Sequence, residues 1–165
     1  MRKTNIVLIG MPSTGKTTVG RPLAEALHME FIDTDQVIKE KAGKALRDIV
    51  NEEGREYFLR LQEKTLLSLE VENHVISTGG SVIYNSEAMK QMGEKGLIVY
   101  LKTSLEELES RITPERRLAR NNGQTFAELY AERAPLYERY AQMVIVCDGK
   151  TAEQIAEEIK GKWNV

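Results

Sequence analysis

Short, uninterrupted apolar runs alternate along this chain with longer stretches in which apolar residues recur every three or four positions. The runs at 6–9, 30–32, 74–77, 97–101 and 143–147 are bounded by turn residues and read as five strands. They are continuous rather than alternating, so both faces should be covered, as in the parallel sheet of an α/β fold. Between the first two runs, Val19, Leu23, Ala26 and Leu27 form one apolar helix face, and Pro22 within it predicts a local kink. The spacing then predicts two short helices over 35–41 and 44–50, separated by Ala42 and Gly43. Gly54 precedes a long helix through Leu69 whose stripe carries Leu59, Gln62, Leu66 and Leu69. Ser104 opens a Ser-x-x-Glu cap ahead of a helix ending near Ile112. A further helix is expected over 125–141, broken or kinked at Pro135, and a terminal one over 152–160. Residues 113–123 hold three arginines and little apolar content, and read as a mobile flap.

Composition narrows the class of function. At 165 residues with 41% hydrophobic content, the chain fits a single domain, 1–165, around one core. Its 23 Lys and Arg against 25 Asp and Glu give a net charge of −2, which excludes a global basic field for nucleic acid. Cys147 is the only cysteine, so no internal disulfide or Cys-rich metal site can form. It reads as a small core residue in a reducing, cytoplasmic protein. No apolar run approaches the ~20 residues that cross a bilayer, and the run at 6–9 is too short for a signal peptide. No membrane partner is expected, and the chain is expected to be a monomer.

The strongest chemical signal is Gly10-Met11-Pro12-Ser13-Thr14-Gly15-Lys16-Thr17, a G-x-x-x-x-G-K-[ST] loop between an expected strand and an expected helix. Gly10 and Gly15 permit backbone angles that aim successive N–H groups at phosphate oxygens. Pro12, Ser13, Thr14 and Thr18 complete the cradle. The helix begun at Lys16 adds its unpaired donors and positive dipole end. Lys16 would bridge the β and γ phosphates of ATP, and Thr17 would offer its hydroxyl to Mg²⁺. Asp33-Thr34-Asp35 ends the second strand at the carboxyl edge of the sheet, where ligands bind in open α/β folds. One carboxylate can hold Mg²⁺ through water while the other accepts a hydroxyl proton, unless Thr34 or Asp35 only caps the next helix. After the third strand, Gly79 and Gly80 allow a ligand to approach the backbone closely, or form only a tight turn.

Together these residues resemble the shikimate kinase family, a branch of the nucleoside monophosphate kinase-like P-loop proteins. The likeness covers most of the chain: the loop followed by Thr18-Val19-Gly20-Arg21, then Phe31-Ile32-Asp33-Thr34-Asp35, Gly79-Gly80 and Arg133-Ala134-Pro135-Leu136-Tyr137. It implies a three-layer α/β/α P-loop fold with a five-stranded parallel sheet, a mobile lid at 113–123 and a helical substrate-binding segment at 35–62. It also implies ATP- and Mg²⁺-dependent phosphorylation of shikimate to shikimate 3-phosphate, a step of amino-acid biosynthesis. By the same likeness Asp35 is the base and hydroxyl ligand, Asp33 assists Mg²⁺, and Gly79 and Gly80 line the acceptor site. Arg133 holds the acceptor carboxylate, Arg116 is the lid arginine that neutralises the transferring phosphoryl group, and Arg111 packs on adenine.

The chain departs from the family on the acceptor side and the lid. The usual Gly-x-x-x-Phe-Arg-x-x-Glu, whose arginine helps grip the shikimate carboxylate, has Leu59 and Gln62 in place of its arginine and glutamate when counted from Gly54. Arg60 and Glu63 keep that spacing one residue later. One residue turns a helix by ~100°, so Arg60 binds substrate only if the helix start has shifted by one. Gly79-Gly80-Ser81 stands where three glycines are usual, and Arg116-Arg117-Leu118 lacks the common proline. Another small hydroxy acid, or a hydroxy amino acid such as homoserine, is therefore an alternative acceptor. A non-kinase ATPase or switch is a weaker alternative, because Val75-Ile76-Ser77-Thr78 ends without a Walker-B acid. Nucleic-acid binding through Arg116, Arg117 and Arg120 lacks interleaved aromatic residues.

Overall fold

The computed structural model describes residues 3–112 and 123–163. The apolar runs form five strands: β1 (Asn5–Ile9), β2 (Glu30–Asp33), β3 (His74–Ser77), β4 (Gly96–Lys102) and β5 (Met143–Val146). All pair in parallel, in the order β2-β3-β1-β4-β5. The helices are α1 (Lys16–Ala26), α2 (Thr34–Ala42), α3 (Leu46–Glu53), α4 (Arg55–Leu67), α5 (Ser86–Lys95), α6 (Leu105–Arg111), α7 (Phe126–Tyr140) and α8 (Ala152–Lys162), with a 3₁₀ turn at Val82–Tyr84.

The period-two geometry of a strand sorts the apolar residues between two layers. Ile6, Leu8, Val75, Val99, Leu101 and Ile145 face α1 and α8 through Val19, Leu23, Ile155 and Ile159. Val7, Ile9, Ile76, Ile98 and Tyr100 face the other way, onto Leu66, Met89, Met92, Leu108, Phe126 and Tyr137. This covering of both faces explains why the strands read as unbroken apolar runs. A third, small cluster of Ile38, Ile49 and Phe58 joins α2, α3 and α4 beside the sheet.

Two details differ from the pattern read in the sequence. Residues 82–95 hold the 3₁₀ turn and α5, which the apolar pattern does not announce. The stripe of α5 consists only of Ala88, Met89 and Met92, between exposed Glu87, Lys90 and Glu94. Pro135 does not break α7, which runs continuously from Phe126 to Tyr140. A Thr125–Glu128 capping box fixes its start, and Phe126, Leu129, Arg133 and Tyr137 anchor one face on both sides of the proline. The expected flap falls on 113–122, outside the described residues, apart from Gly123.

Chain direction reverses at one point in the sheet. From β1 the chain crosses to β2 on one side, and from β3 it crosses past β1 to β4 on the other. The crevice between the carboxyl ends of β1 and β3 is where open α/β sheets bind ligands. The phosphate loop leaves β1 there, and Thr78-Gly79-Gly80 leaves β3 beside it.

Candidate active site

The loop after β1 is held from behind. Thr14 donates from its hydroxyl to Leu101 O at 3.2 Å and shares a 2.5 Å hydrogen bond with the Thr103 hydroxyl, pinning the loop to the end of β4. Gly10 packs so closely that a Cβ there would stand 2.9 Å from Leu101 O. Gly15 and Ser13 both take left-handed backbone angles, with φ of 94° and 71°. That is easy for glycine and strained for serine, a strain common at functional loops. Arg111, at the end of α6, donates from Nη1 to Ser13 O and Thr14 O and pairs through Nη2 with Glu107. Its guanidinium is thus fixed against the outer edge of the loop.

Lys16 opens α1 and is only 8% exposed. Its ammonium donates to Gly10 O at 2.7 Å and Met11 O at 2.9 Å. Burial lowers its pKa to about 8 against the opposing pull of Asp35, with Arg133 lowering it further and Asp33 raising it. Desolvation therefore dominates, and a phosphate arriving here would meet a cation with few charged partners.

Asp33 and Asp35 sit on opposite sides of the β2–α2 junction and do different work. Asp33 caps α2: its Oδ1 accepts from the Asp35 N–H at 3.0 Å, while its Oδ2 accepts from the Thr17 hydroxyl at 3.2 Å. The Thr17 hydroxyl also lies 3.3 Å from that of Ser77. Thr17, Asp33 and Ser77 thus gather oxygens beside the lysine, a set suited to Mg²⁺, which binds through one or two protein oxygens, waters and phosphates. Among the described residues there is no cluster of three His, Cys, Asp or Glu side chains, as an all-protein metal cage would need. Asp35, by contrast, has a buried Oδ1 with no hydrogen-bond partner among the described residues. Its pKa is raised, by burial first and by Asp33 second, against Lys16. An ionisable oxygen so placed is suited to taking a proton from a bound hydroxyl.

The Gly79-Gly80 turn makes room for that carboxylate. A Cβ on Gly79 would stand 2.5 Å from Asp35 Oδ1, and one on Gly80 would stand 2.9 Å from Pro12 and 3.0 Å from Arg133 Nη1. Pro12, Ser13, Gly15, Lys16, Thr17, Thr18, Asp33, Asp35, Ser77, Thr78, Gly79 and Gly80 line one continuous cleft of about 360 Å³. Arg133 is 7% exposed, with a buried Nε that has no partner among the described residues. It approaches the cleft from α7.

The sequence pattern does not reveal what supports this turn. Tyr137, one helical turn after Arg133, donates its hydroxyl to Gly80 O at 2.5 Å and stacks on Tyr100 at 5.2 Å between centroids. Gln62, on α4, donates to Asn85 Oδ1 at 2.7 Å and accepts from the Ser81 hydroxyl at 3.3 Å, and Asn85 returns a bond to Leu59 O. A glutamine on an otherwise apolar stripe was the one signal of this buried chain of amides.

Arg60 is not brought to the site, which corrects the idea of a helix start shifted by one. The helix α4 begins directly after Gly54 and buries Phe58, Gln62, Thr65 and Leu66. Arg60, ~200° around the axis from Gln62, is therefore exposed on the outer face. Arg116 lies outside the described residues.

A family model described as shikimate kinase matches residues 12–163. Among curated relatives, a shikimate kinase of Caldanaerobacter subterraneus subsp. tengcongensis is 39% identical over 94% of this chain and 93% of its own length. One of Persephonella marina is 38% identical over 96% and 98%. Among solved structures, a shikimate kinase from Acinetobacter baumannii in complex with shikimate superposes with a TM-score of 0.88 at 32% identity, covering 97% of this chain and 92% of that one.

Proposed function

This chain belongs to the shikimate kinase family, and from that premise we propose that it transfers the γ-phosphoryl group of ATP to a hydroxyl of shikimate, giving shikimate 3-phosphate. The observation that carries the proposal is the buried Asp35 Oδ1, without a hydrogen-bond partner among the described residues, set between the phosphate-loop lysine and the Gly79-Gly80 turn in one cleft.

ATP lies along the phosphate loop, its phosphates taken by the inward N–H groups and by Lys16, with adenine outward against Arg111. Mg²⁺, when bound, would neutralise charge on the phosphates, and Thr17 and Asp33 would hold it, with Ser77 adjacent. The acceptor lies over Gly79 and Gly80, its carboxylate on Arg133, within the wall built by residues 35–62. Asp35 orients the acceptor hydroxyl and takes its proton as the oxygen bonds to the γ-phosphorus and the bond to ADP breaks. The protein contributes positioning and electrostatics, with no covalent phosphoenzyme. By its family likeness, Arg116 completes the charge neutralisation from the lid.

Arg133 favours shikimate over an uncharged alcohol, because it is buried and its Nε has no hydrogen-bond partner among the described residues. Measuring ADP release with Mg·ATP against shikimate, homoserine, gluconate and no acceptor tests the reading. Strong stimulation by shikimate is expected. Stimulation by homoserine or gluconate only would assign a different acceptor to the same site, and acceptor-independent release would make the protein an ATPase.

A further inference from the structure

Arg55 begins α4 and precedes Leu59 and Gln62 by four and seven residues, so the three share one helix stripe. Its guanidinium carbon stands 4.8 Å from the centroid of the Tyr84 ring. That of Arg133 stands 5.4 Å from the same centroid. Both distances are within cation–π range, so one phenol ring gathers two cations. Neither arginine forms an ion pair among the described residues. The neighbouring carboxylate, Glu132, accepts from the Tyr84 hydroxyl and from Gln124 Nε2 and feels the charge of both Arg133 and Arg55, without a direct ion pair to either among the described residues.

Two further facts separate this arrangement from an ordinary solvated surface. A cation in the first turn of a helix opposes the helix dipole, so Arg55 stands where it weakens α4 rather than supports it. On the other side of the pair, the Arg133 Nε is buried without a hydrogen-bond partner among the described residues. Two like charges around one ring, one of them desolvated, are at their most stable when an anion lies between them.

We propose that Arg55 is a substrate-binding residue, the second cation of a clamp on the acceptor carboxylate. With Arg133 it supplies the charge that Leu59, one turn along the same stripe, does not carry. The Tyr84 ring holds the long Arg55 side chain near its bound position and so reduces the ordering needed on binding. Arg60, on the opposite face of α4, cannot share this role. The proposal rests on the reading of the cleft as an acceptor site for a carboxylate-bearing alcohol.

The test compares wild type and Arg55→Met with shikimate and its methyl ester, at saturating Mg·ATP. Loss of one charge-assisted contact should raise KM for shikimate by about tenfold. The preference for the acid over the ester should fall by a similar factor, with KM for ATP and the melting temperature unchanged. Adding Leu59→Arg to Arg55→Met should restore the preference, because it returns a cation to the same stripe. An unchanged preference in Arg55→Met, alongside a collapsed one in Arg133→Met, would overturn the proposal and leave Arg55 as a residue stacked on Tyr84. Wild type that does not turn over shikimate at all would overturn the functional reading itself, and this proposal with it.

Discussion

Replacing Lys16 with methionine should severely impair transfer and at the same time make the ligand-free protein slightly more stable. Folding moves the Lys16 pKa from 10.5 to about 8, mainly by burial. Keeping the ammonium charged at neutral pH therefore costs ~3 kcal/mol relative to the neutral form. Methionine fills similar space and removes that charge, but it also forfeits the bonds to Gly10 O and Met11 O, each worth about 1 kcal/mol net. The balance is a gain of roughly 1 kcal/mol, or about 2–4 °C in melting temperature for a chain of this size. The pH dependence checks the cause. The folded protein binds fewer protons than the unfolded one between about pH 8 and 10.5, so wild-type stability rises across that window. The advantage of Lys16→Met is therefore complete below pH 8, lost between about pH 8 and 9, and reversed above 10.5, where only the two missing hydrogen bonds still count. Scanning calorimetry of both proteins at pH 7 and 9.5, without nucleotide, measures it. With Mg·ATP at about 100 times its Kd the order reverses, because only wild type gains the ~2.7 kcal/mol of linked binding. Transfer by the variant should fall by about 10²-fold or more. A variant less stable than wild type at pH 7, or a difference that does not change with pH, would refute the claim that burial of the charge dominates at this lysine.

Asp35→Asn should lower kcat by about 10²–10⁴-fold while leaving KM for ATP nearly constant, and an equal loss in both would remove its role as base. Because Asp35 must be ionised to accept the proton, and burial holds its carboxyl above the usual range, kcat/KM of wild type should fall as pH drops through that raised value. Gly79→Ala should cut kcat by about 10²-fold through displacement of Asp35, since its new Cβ would stand 2.5 Å from Oδ1; steady-state kinetics with normal turnover would show that the turn yields instead. Gln62→Leu strands the buried Asn85 amide and should destabilise by about 1–3 kcal/mol in urea titration, whereas Arg60→Ala should stay within about 0.5 kcal/mol and leave acceptor KM unchanged.

Features whose causes are local were legible in the chain before folding. Gly10 to Thr17 names a phosphate loop because backbone angles, helix onset and lysine reach are all set within eight residues. Five apolar runs specified a buried parallel sheet because both faces of each strand must be covered. The element at 82–95 was not legible, since α5 buries only three residues and its pattern is too thin to separate from a loop. Nor was the continuity of α7 across Pro135, because the packing of Arg133 and Tyr137 on either side holds the helix together.

Which side chains share a site depended on how the layers pack together. The local pattern leaves Asp33 and Asp35 equivalent and only the family likeness separates them; the physical reason is tertiary, because the cap on α2 occupies Asp33 and leaves Asp35 with a buried oxygen that has no partner among the described residues. The rotation of α4 is likewise invisible in the local pattern. Packing of Phe58, Gln62 and Leu66 fixes it, turning Arg60 outward and bringing Arg55 to Tyr84. These assignments depend on contacts between residues distant in the chain, whose free energies are settled only when the layers close.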